Sequence, residues 1–222
     1  MNVLIVYWHP EPKSFNGALK NTAVKALEAQ GHSVKVSDLH TMDFNPISGR
    51  HSFTTVADAD YFKPQIEEMH ASEHNGFSQD VEDEIQKLEW CDLIIFQFPL
   101  WWFGLPAVLK GWVDRVFAMG RTYGGGRFYE NGVFKGKKAM LSVTTGGPEE
   151  LYVKEGWNGD LDGILRPIHR GIFEFNGFEV LAPFTVYGPA RMKPEEREQE
   201  LGRYANRLKT IFDELGIEVG HY

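Results

Sequence analysis

Hydroxyl and amide side chains stand next to each other near the N-terminus, where the stretch WHPEPKSFNGAL contains His9, Ser14, Phe15 and Asn16. They lie at the predicted start of a helix, where free backbone N–H groups and the helix dipole favour an anion. The stretch contains neither G-x-G-x-x-G nor G-x-x-x-x-G-K-[ST], so it is neither a Rossmann fingerprint nor a P-loop. The residues predict either a phosphate site built from neutral donors or ordinary capping of the helix by Ser14.

Large apolar residues dominate a second stretch, FQFPLWWFGLPAVLKGW, where Pro99 and Leu100 lead into Trp101, Trp102 and Phe103. Aromatic residues make up 14% of the chain, and three of them are consecutive here. Burying one large apolar side chain gains about 1.5–3 kcal/mol, so this run is unfavourable in water. It indicates either packing in a core or interface, or a wall for a flat apolar ligand.

Small and hydroxyl residues form a third stretch, SVTTGGPEELY, with Thr144, Thr145, Gly146 and Gly147 followed by Tyr152. Glycines allow backbone N–H groups to approach a ligand closely, and a nest of such groups stabilises negative charge. The alternative is a plain Gly-Gly turn.

Several classes of protein are disfavoured by the sequence. Ser14 lies outside any G-x-S-x-G elbow, the eight histidines show no metal-binding spacing, and the single Cys91 is predicted to be buried and inert. We therefore expect no metal site. The net charge of -8 argues against a nucleic-acid-binding protein. No apolar run approaches the roughly 20 residues of a membrane span, and no signal peptide is evident, so we expect a cytoplasmic protein without membrane insertion.

Strand and helix patterns alternate along the chain. Predicted strands cover residues 3–7, 33–39, 92–98, 138–143 and 178–187, and predicted helices cover 15–30, 79–90, 107–117, 164–175 and 194–216. This order predicts one α/β domain over residues 1–222, a three-layer sandwich with a doubly wound, five-stranded parallel sheet. Residues 40–78 are a long, polar, irregular insertion. Ligands of such sheets bind at the carboxyl ends of the strands, which unites the three stretches with the turn at 187–197.

Seven short pieces between residues 14 and 178 resemble the NAD(P)H:quinone oxidoreductases of the flavodoxin-like superfamily, the DT-diaphorase type, and the resemblance covers residues 3 to about 215. In order they are Ser14-Phe15-Asn16, Phe44-Asn45-Pro46-Ile47, Phe96-Gln97-Phe98-Pro99-Leu100, Trp102-Phe103-Gly104, Leu109-Lys110-Gly111-Trp112, Thr144-Thr145-Gly146-Gly147 and Gly177-Phe178. The longer C-terminal extension of animal members is missing, so the short bacterial-like form is expected.

The resemblance implies a homodimer that binds FAD, with FMN as the less favoured flavin, and that shares its active sites between protomers. Hydride from NADPH or NADH would reach a quinone through the flavin in ping-pong fashion, and the expected catalytic residue is Tyr152. The expected flavin-binding residues are His9, Ser14, Phe15, Asn16, Pro99, Leu100, Trp101, Trp102, Phe103, Thr144, Thr145, Gly146, Gly147, Tyr152 and Arg197. The expected substrate-side residues are Tyr123, Gly124, Phe128 and Tyr129.

The sequence departs from the family pattern at three positions. The family pairs a tyrosine with a histidine six residues on, but Asn158 follows Tyr152 at that spacing. Asparagine does not take up a proton near neutral pH, so a two-residue proton relay is not expected. Trp101 replaces a smaller polar residue and Gly125 replaces an aromatic residue of the animal enzymes, so we expect a substrate slot of different shape.

Three other functions fit parts of the sequence. An FMN-dependent reductase of azo or nitro aromatic compounds would have the same residues around the flavin ring. A regulatory ancillary subunit of a membrane transporter is compatible with the acidic charge and the exposed aromatics. A one-electron flavodoxin carrier is disfavoured, because such carriers are shorter and need no substrate slot.

Overall fold

The computed structural model describes residues 1–220, so the last two residues of the predicted domain lie outside it. Its strands are β1 (Asn2–Tyr7), β2 (Ser33–Asp38), β3 (Leu93–Pro99), β4 (Lys138–Thr145), β5 (Glu179–Val180) and β6 (Phe184–Tyr187). Its α-helices are α1 (Phe15–Ala29), α2 (Pro64–His74), α3 (Gln79–Trp90), α4 (Ala107–Val116), α5 (Leu161–Ile168) and α6 (Pro194–Leu208). All strand pairs are parallel, in the order β2-β1-β3-β4-β5, and β6 also pairs with β4.

The sheet is covered by helices on both faces, as the apolar runs of its strands require. Alternate residues of β1 enter two separate cores, Leu4 in one and Ile5 in the other. The first core contains apolar residues of α3, α4 and α5, and the second contains those of α1 and α6. The predicted three-layer, doubly wound α/β sandwich is confirmed.

The predicted fifth strand, residues 178–187, is divided into β5 and β6. Both segments pair with β4, with Glu179 opposite Lys138 and Phe184 opposite Ser142. Pro183 lies in the interruption and has no N–H to donate to the ladder. The sheet therefore has six strands rather than five, although the two short ones share one edge position.

Two helices begin or end at residues other than those predicted. The helix predicted at 164–175 begins earlier because Asp160 caps it, accepting a 2.6 Å hydrogen bond from the Gly163 N–H. It continues after α5 as a π-helical turn, His169–Phe173. The helix predicted at 194–216 ends at Leu208 and is followed by a 3₁₀ turn, Ile211–Asp213.

The segment 40–78 is more regular than predicted, since it contains α2 and a 3₁₀ turn at Arg50–Ser52. The buried residues of α2 are Glu67, Glu68 and Ala71, so the helix lacks the apolar period by which sequence patterns reveal helices. Glu67 accepts hydrogen bonds from the N–H groups of Ala57 and Asp58 at 2.8 and 3.2 Å. The buried carboxylates therefore hold the loops around α2.

None of the helices within residues 1–220 has the length and hydropathy of a transmembrane segment. The cytoplasmic location stays a prediction. Cys91 is fully buried as expected, and burial raises the pKa of its thiol to about 12, so it stays protonated.

Candidate active site

A cavity of about 760 Å³ lies at the carboxyl edge of the sheet, beside the ends of β3 and β4 and the N-terminus of α1. The strand order reverses between β1 and β3, and this is the switch point at which such sheets bind ligands. The residues that line it are His9, Lys13, Ser14, Phe15, Asn16, Ala18, Pro99, Leu100, Trp101, Thr144, Thr145, Gly146, Pro189, Ala190, Pro194, Arg197, Glu198 and Leu201.

A chain of hydrogen bonds crosses the floor of this cavity. The Gln97 amide donates to Asn16 Oδ1 at 2.8 Å, and the Asn16 amide donates to Thr144 Oγ1 at 2.8 Å. All three side chains are buried. Because the Thr144 hydroxyl oxygen accepts from Asn16, its hydrogen remains available to a ligand. The chain thus fixes the orientation of two side chains that border the cavity.

The start of α1 is shaped by its cap and by a close backbone approach. Ser14 Oγ accepts from the Gly17 N–H at 3.1 Å, as predicted for an N-cap. A Cβ on Gly17 would collide with the carbonyl oxygen of Pro12, so only glycine lets the preceding loop fold against the helix. Neutral donors and the dipole of a 15-residue helix therefore face the cavity region.

His9 lies in that preceding loop, and its ring is fixed by a local turn. Its Nδ1 accepts a hydrogen bond of 2.9 Å from the Glu11 N–H. Burial lowers the pKa of His9 below its usual value, and the opposing contact with Glu11 is the smaller effect. The ring is therefore neutral near pH 7 and offers a nitrogen that hydrogen-bonds without charge.

The aromatic run forms a tight turn. Trp102 and Phe103 have φ values of 50° and 58°, and reciprocal backbone hydrogen bonds join Trp101 to Gly104 at 3.0 and 3.3 Å. Positive φ at a bulky residue costs about 1–3 kcal/mol, and such strain concentrates at ligand sites. Trp101 lines the cavity and packs edge-on against Trp8, with ring centroids 5.0 Å apart.

The turn directs its other two rings away from the cavity. Trp102 is 98% exposed and Phe103 is 51% exposed, and neither is among the lining residues. Within one chain the structure therefore does not place these two predicted flavin-binding residues on the cavity.

The loop after β4 forms the side of the cavity opposite the aromatic turn. Thr145 Oγ1 donates to the Gly147 carbonyl at 2.8 Å, and the Thr145 carbonyl accepts from the Gly188 N–H at 3.0 Å. These bonds join the loop to the turn after β6. Gly147 does not line the cavity, and neither does Tyr152, which ends the 3₁₀ turn Glu149–Tyr152.

Tyr152 and Arg197 are the remaining predicted flavin-binding residues. The Tyr152 ring packs against Tyr187 with centroids 5.9 Å apart. Arg197 extends from the first turns of α6 to the cavity, and its guanidinium donates to the Met192 carbonyl at 2.9 Å. The Asn158 N–H donates to the Leu151 carbonyl at 2.9 Å.

The four predicted substrate-side residues lie elsewhere in the chain. The rings of Tyr123, Phe128 and Tyr129 surround Phe175 at centroid distances of 5.8, 5.1 and 5.6 Å. Tyr123 and Gly124 border two smaller hollows rather than the large cavity. A single chain therefore does not unite them with the predicted flavin-binding residues.

Sequence reasoning missed Gln97, which orients Asn16 from inside β3. The signal was its polarity within the apolar strand LIIFQFP, directly before the cavity-lining Pro99. It also missed Leu201, because an apolar residue that lines a cavity looks like one that lines a core. No cluster of three or more potential metal ligands occurs within residues 1–220.

Comparison with known proteins gives a consistent result. A family model described as "Flavodoxin-like fold" matches residues 1–211. Ribosyldihydronicotinamide dehydrogenase [quinone] of Rattus norvegicus is 45% identical over 97% of this chain and 94% of that protein. NAD(P)H dehydrogenase [quinone] 1 of Cavia porcellus is 44% identical over 96% of this chain and 78% of that protein.

Solved structures agree with these relatives. The crystal structure of a candidate quinone reductase from Klebsiella pneumoniae has a TM-score of 0.94 and 40% identity, over 98% of this chain and 87% of the other. More distant structures that contain FMN are under 25% identical and share the fold alone.

Proposed function

This chain belongs to the flavodoxin-like family, and on that premise we propose that it is an NAD(P)H dehydrogenase that reduces quinones by two electrons through a bound flavin. The observation that carries the proposal is the cavity at the carboxyl edge of the sheet. One side is apolar, with Pro99, Leu100 and Trp101, and the other is polar, with Asn16 and Thr144. This division matches a flat ring system with a polar edge.

The residues present suit a flavin nucleotide. The start of α1, the Ser14 hydroxyl and the Arg197 guanidinium are donors for phosphate groups. Leu100 and Trp101 offer flat apolar contact to the flavin ring. A bound flavin supplies the redox chemistry, because it accepts a hydride from a reduced nicotinamide and yields it to a quinone.

The protein's own contribution is binding and electrostatics. Thr144 keeps its hydroxyl hydrogen for the ligand because Asn16 occupies its oxygen. The family resemblance assigns the backbone N–H groups of Thr145 to Gly147 and the Tyr152 hydroxyl as donors that would face negative charge on the flavin ring. Of these residues, Thr145 and Gly146 line the cavity of one chain, whereas Gly147 and Tyr152 do not. Fixed donors of this kind stabilise developing charge without reorganisation. No nucleophile of the protein is needed.

FAD is the proposed flavin, and FMN is the alternative. The cavity extends from the Thr144–Gly146 region to Pro194, Arg197 and Leu201 of α6, so it reaches beyond the start of α1. That extent favours a cofactor with a second nucleotide. Heat release of the cofactor followed by mass measurement distinguishes the two.

A homodimer is proposed because one chain leaves the site incomplete. Tyr123, Phe128 and Tyr129 lie around Phe175 rather than at the cavity, while Trp102 is almost fully exposed. A second copy would bring these residues to a neighbouring cavity. Sedimentation equilibrium should give twice the chain mass of 25.3 kDa. A monomer with full quinone reductase activity would contradict this arrangement.

The activity is tested on the purified protein in three steps. Its absorbance spectrum should show an oxidised flavin, NADH or NADPH should bleach it in a stopped-flow instrument, and a quinone should restore it. Because one relative is named for ribosyldihydronicotinamide, that compound is tested as a third donor. A colourless protein that takes up neither FAD nor FMN would overturn the proposal.

A further inference from the structure

The loop of residues 117–128, here called the Tyr123 loop, has little backbone stiffness of its own. Gly124, Gly125 and Gly126 follow one another with φ values of 101°, 62° and 83°. A Cβ on Gly125 or Gly126 would meet no atom within 4 Å, so packing does not hold this tip. Any defined position of the loop must come from contacts at its base and from the packing of the Tyr123 and Phe128 rings on Phe175.

Arg127 makes the loop one unit. Its guanidinium donates to the carbonyls of Gly124 and Gly120 at 3.0 and 2.9 Å, and the Gly120 N–H donates to the Tyr123 carbonyl at 2.9 Å. These contacts are all internal, so they shape the loop without fixing it to the rest of the protein.

Glu68 of α2 joins this unit to the body of the protein. Its Oε2 accepts a hydrogen bond of 2.7 Å from the Met119 N–H and a longer one of 3.4 Å from the Tyr123 hydroxyl. One carboxylate oxygen thus holds both the backbone at the base of the loop and the side chain at its centre.

Burial of Glu68 makes its hydrogen bond with the Met119 N–H costly to break. The residue is only 8% exposed, and burial raises the pKa of its carboxyl, against which the Met119 and Tyr123 hydrogen bonds act. A buried acceptor is costly to leave without donors, so the carboxylate and the loop hold each other. Next to it, the Ser72 hydroxyl lies 3.0 Å from the Met119 carbonyl, and a Cβ on Gly120 would come within 2.7 Å of Ser72 Oγ.

A second anchor lies on the other side of the loop. Arg121 pairs with Glu82 and Glu89 of α3 at 2.9 and 2.8 Å. These ion pairs are partly exposed and do not touch Tyr123, so they hold the loop without orienting that ring. Exposed pairs also contribute little energy each.

We propose that Glu68 is a positioning residue for quinone reduction, which holds the Tyr123 loop so that Tyr123 meets the substrate at a second protomer's cavity. This inference rests on the proposed function and assigns a task to α2, which sequence patterns did not reveal. Glu68 itself touches neither flavin nor quinone. Glu68 affects substrate binding only through Tyr123.

The test compares steady-state kinetics of the flavin-loaded dimer with two variants. Glu68→Ala should raise KM for the quinone by about 5-fold to 20-fold, within the roughly 100-fold that misplacement of a contacting group costs. The kcat and the flavin content should stay within about twofold. Glu68→Gln keeps a carbonyl acceptor for the Met119 N–H, so KM should return to within about threefold of the wild-type value.

Tyr123→Phe tests whether Glu68 changes the KM for the quinone through Tyr123. Alone it should raise KM by about 2-fold to 10-fold, the equivalent of one hydrogen bond. Added to Glu68→Ala it should have little further effect, because residues that act through one contact are not additive. Additive effects of the two substitutions would overturn the assignment of Tyr123 as the intermediary. If Glu68→Ala does not fold, Glu68→Asp replaces it in the cycle, because the shorter side chain withdraws the acceptor from the Met119 N–H and the Tyr123 hydroxyl.

Glu67→Gln is the matched control. Glu67 is the preceding residue and is also buried. It accepts hydrogen bonds from backbone N–H groups too, but from those of Ala57 and Asp58. It should lower thermal stability without changing KM. If the wild type is active and Glu68→Ala has the same KM for the quinone, this inference is overturned while the proposed function stands. If the wild type neither binds flavin nor turns over quinone, the proposed function is overturned.

Discussion

The side-chain amide of Asn16 donates a 2.8 Å hydrogen bond to Thr144 Oγ1, across 128 positions of sequence. The bond joins the first turn of α1 to the carboxyl end of β4, and Gln97 of β3 fixes the amide from the other side. Three elements are therefore held together at the edge where the cavity lies. The buried network therefore fixes two of the side chains that line the cavity, Asn16 and Thr144.

Asn16→Ala should weaken flavin retention. The substitution leaves Gln97 and Thr144 without their shared partner, and unsatisfied buried polar groups cost about 1–3 kcal/mol. If that cost falls on the bound state, the flavin Kd rises by about 5-fold to 150-fold. Equilibrium dialysis of free flavin against the stripped protein measures it.

Asn21→Ala is the control for this variant, because Asn21 lies on the same helix with an exposed side chain. It should leave the flavin Kd unchanged. Equal flavin affinity in Asn16→Ala and the wild type would contradict the assignment of the network to the flavin site.

Trp101→Ala should also loosen the flavin and should brighten its fluorescence. Trp101 lines the cavity and is held edge-on by Trp8, so its ring is positioned to stack on and quench a flavin. An aromatic contact contributes about 0.5–1.5 kcal/mol beyond its buried area, or about 2-fold to 12-fold in Kd.

Trp157→Ala serves as the comparison for Trp101, since Trp157 is 96% exposed and does not line the cavity. It should change neither Kd nor fluorescence. Flavin fluorescence that stays quenched to the same degree in Trp101→Ala would argue against this ring as the wall of the flavin site.

Tyr152→Phe should slow flavin reduction modestly while leaving flavin affinity unchanged. The substitution removes one hydroxyl donor, and a hydrogen bond of about 0.5–1.5 kcal/mol corresponds to about a 2-fold to 12-fold slower rate. Stopped-flow bleaching with NADPH measures it, and the exposed Tyr61→Phe is the control. An unchanged rate would remove Tyr152 from the catalytic residues.

Local patterns predicted the fold well where one physical effect dominates. The β-branched run of β1 and the apolar spacing of α3, with Val81, Ile85 and Leu88, identify elements that pack into the core. The family resemblance is confirmed by the family model, and the relatives it predicted are named as quinone dehydrogenases. Failures occurred where tertiary contacts replace local periodicity, as in α2, whose buried face carries Glu67 and Glu68.

The cavity followed from the rule that ligands bind at the carboxyl ends of parallel strands, since Asn16, Pro99 and Thr144 come together there. The directions of the side chains around the cavity could not be predicted from that rule. The two positive φ values at Trp102 and Phe103 turn their rings outward, and no periodicity predicts such a turn at bulky residues. Gln97 was missed because its role appears only when β3 and α1 are adjacent.

Acid should destabilise the protein through His169, which is almost fully buried and whose Nε2 has no hydrogen-bond partner within residues 1–220. Burial lowers the pKa of His169 from 6.5 to about 4. Above pH 6.5 the ring is neutral in both folded and unfolded chains, so it contributes no pH dependence. Between pH 6.5 and 4 only the unfolded chain binds the proton, so the free energy of unfolding falls as pH falls.

The full loss attributable to His169 is about 3 kcal/mol, at about 1.4 kcal/mol per pKa unit. His169→Gln cannot titrate and should remove this part of the slope, although carboxylates still contribute theirs. Urea unfolding at pH 7 and pH 4.5 measures both proteins, and the stability of the variant relative to the wild type should improve by about 2–3 kcal/mol at the lower pH. The exposed His40→Gln should show no such change. A difference between His169→Gln and wild type that is the same at both pH values would mean that the ring is protonated in the folded protein as readily as in the unfolded chain.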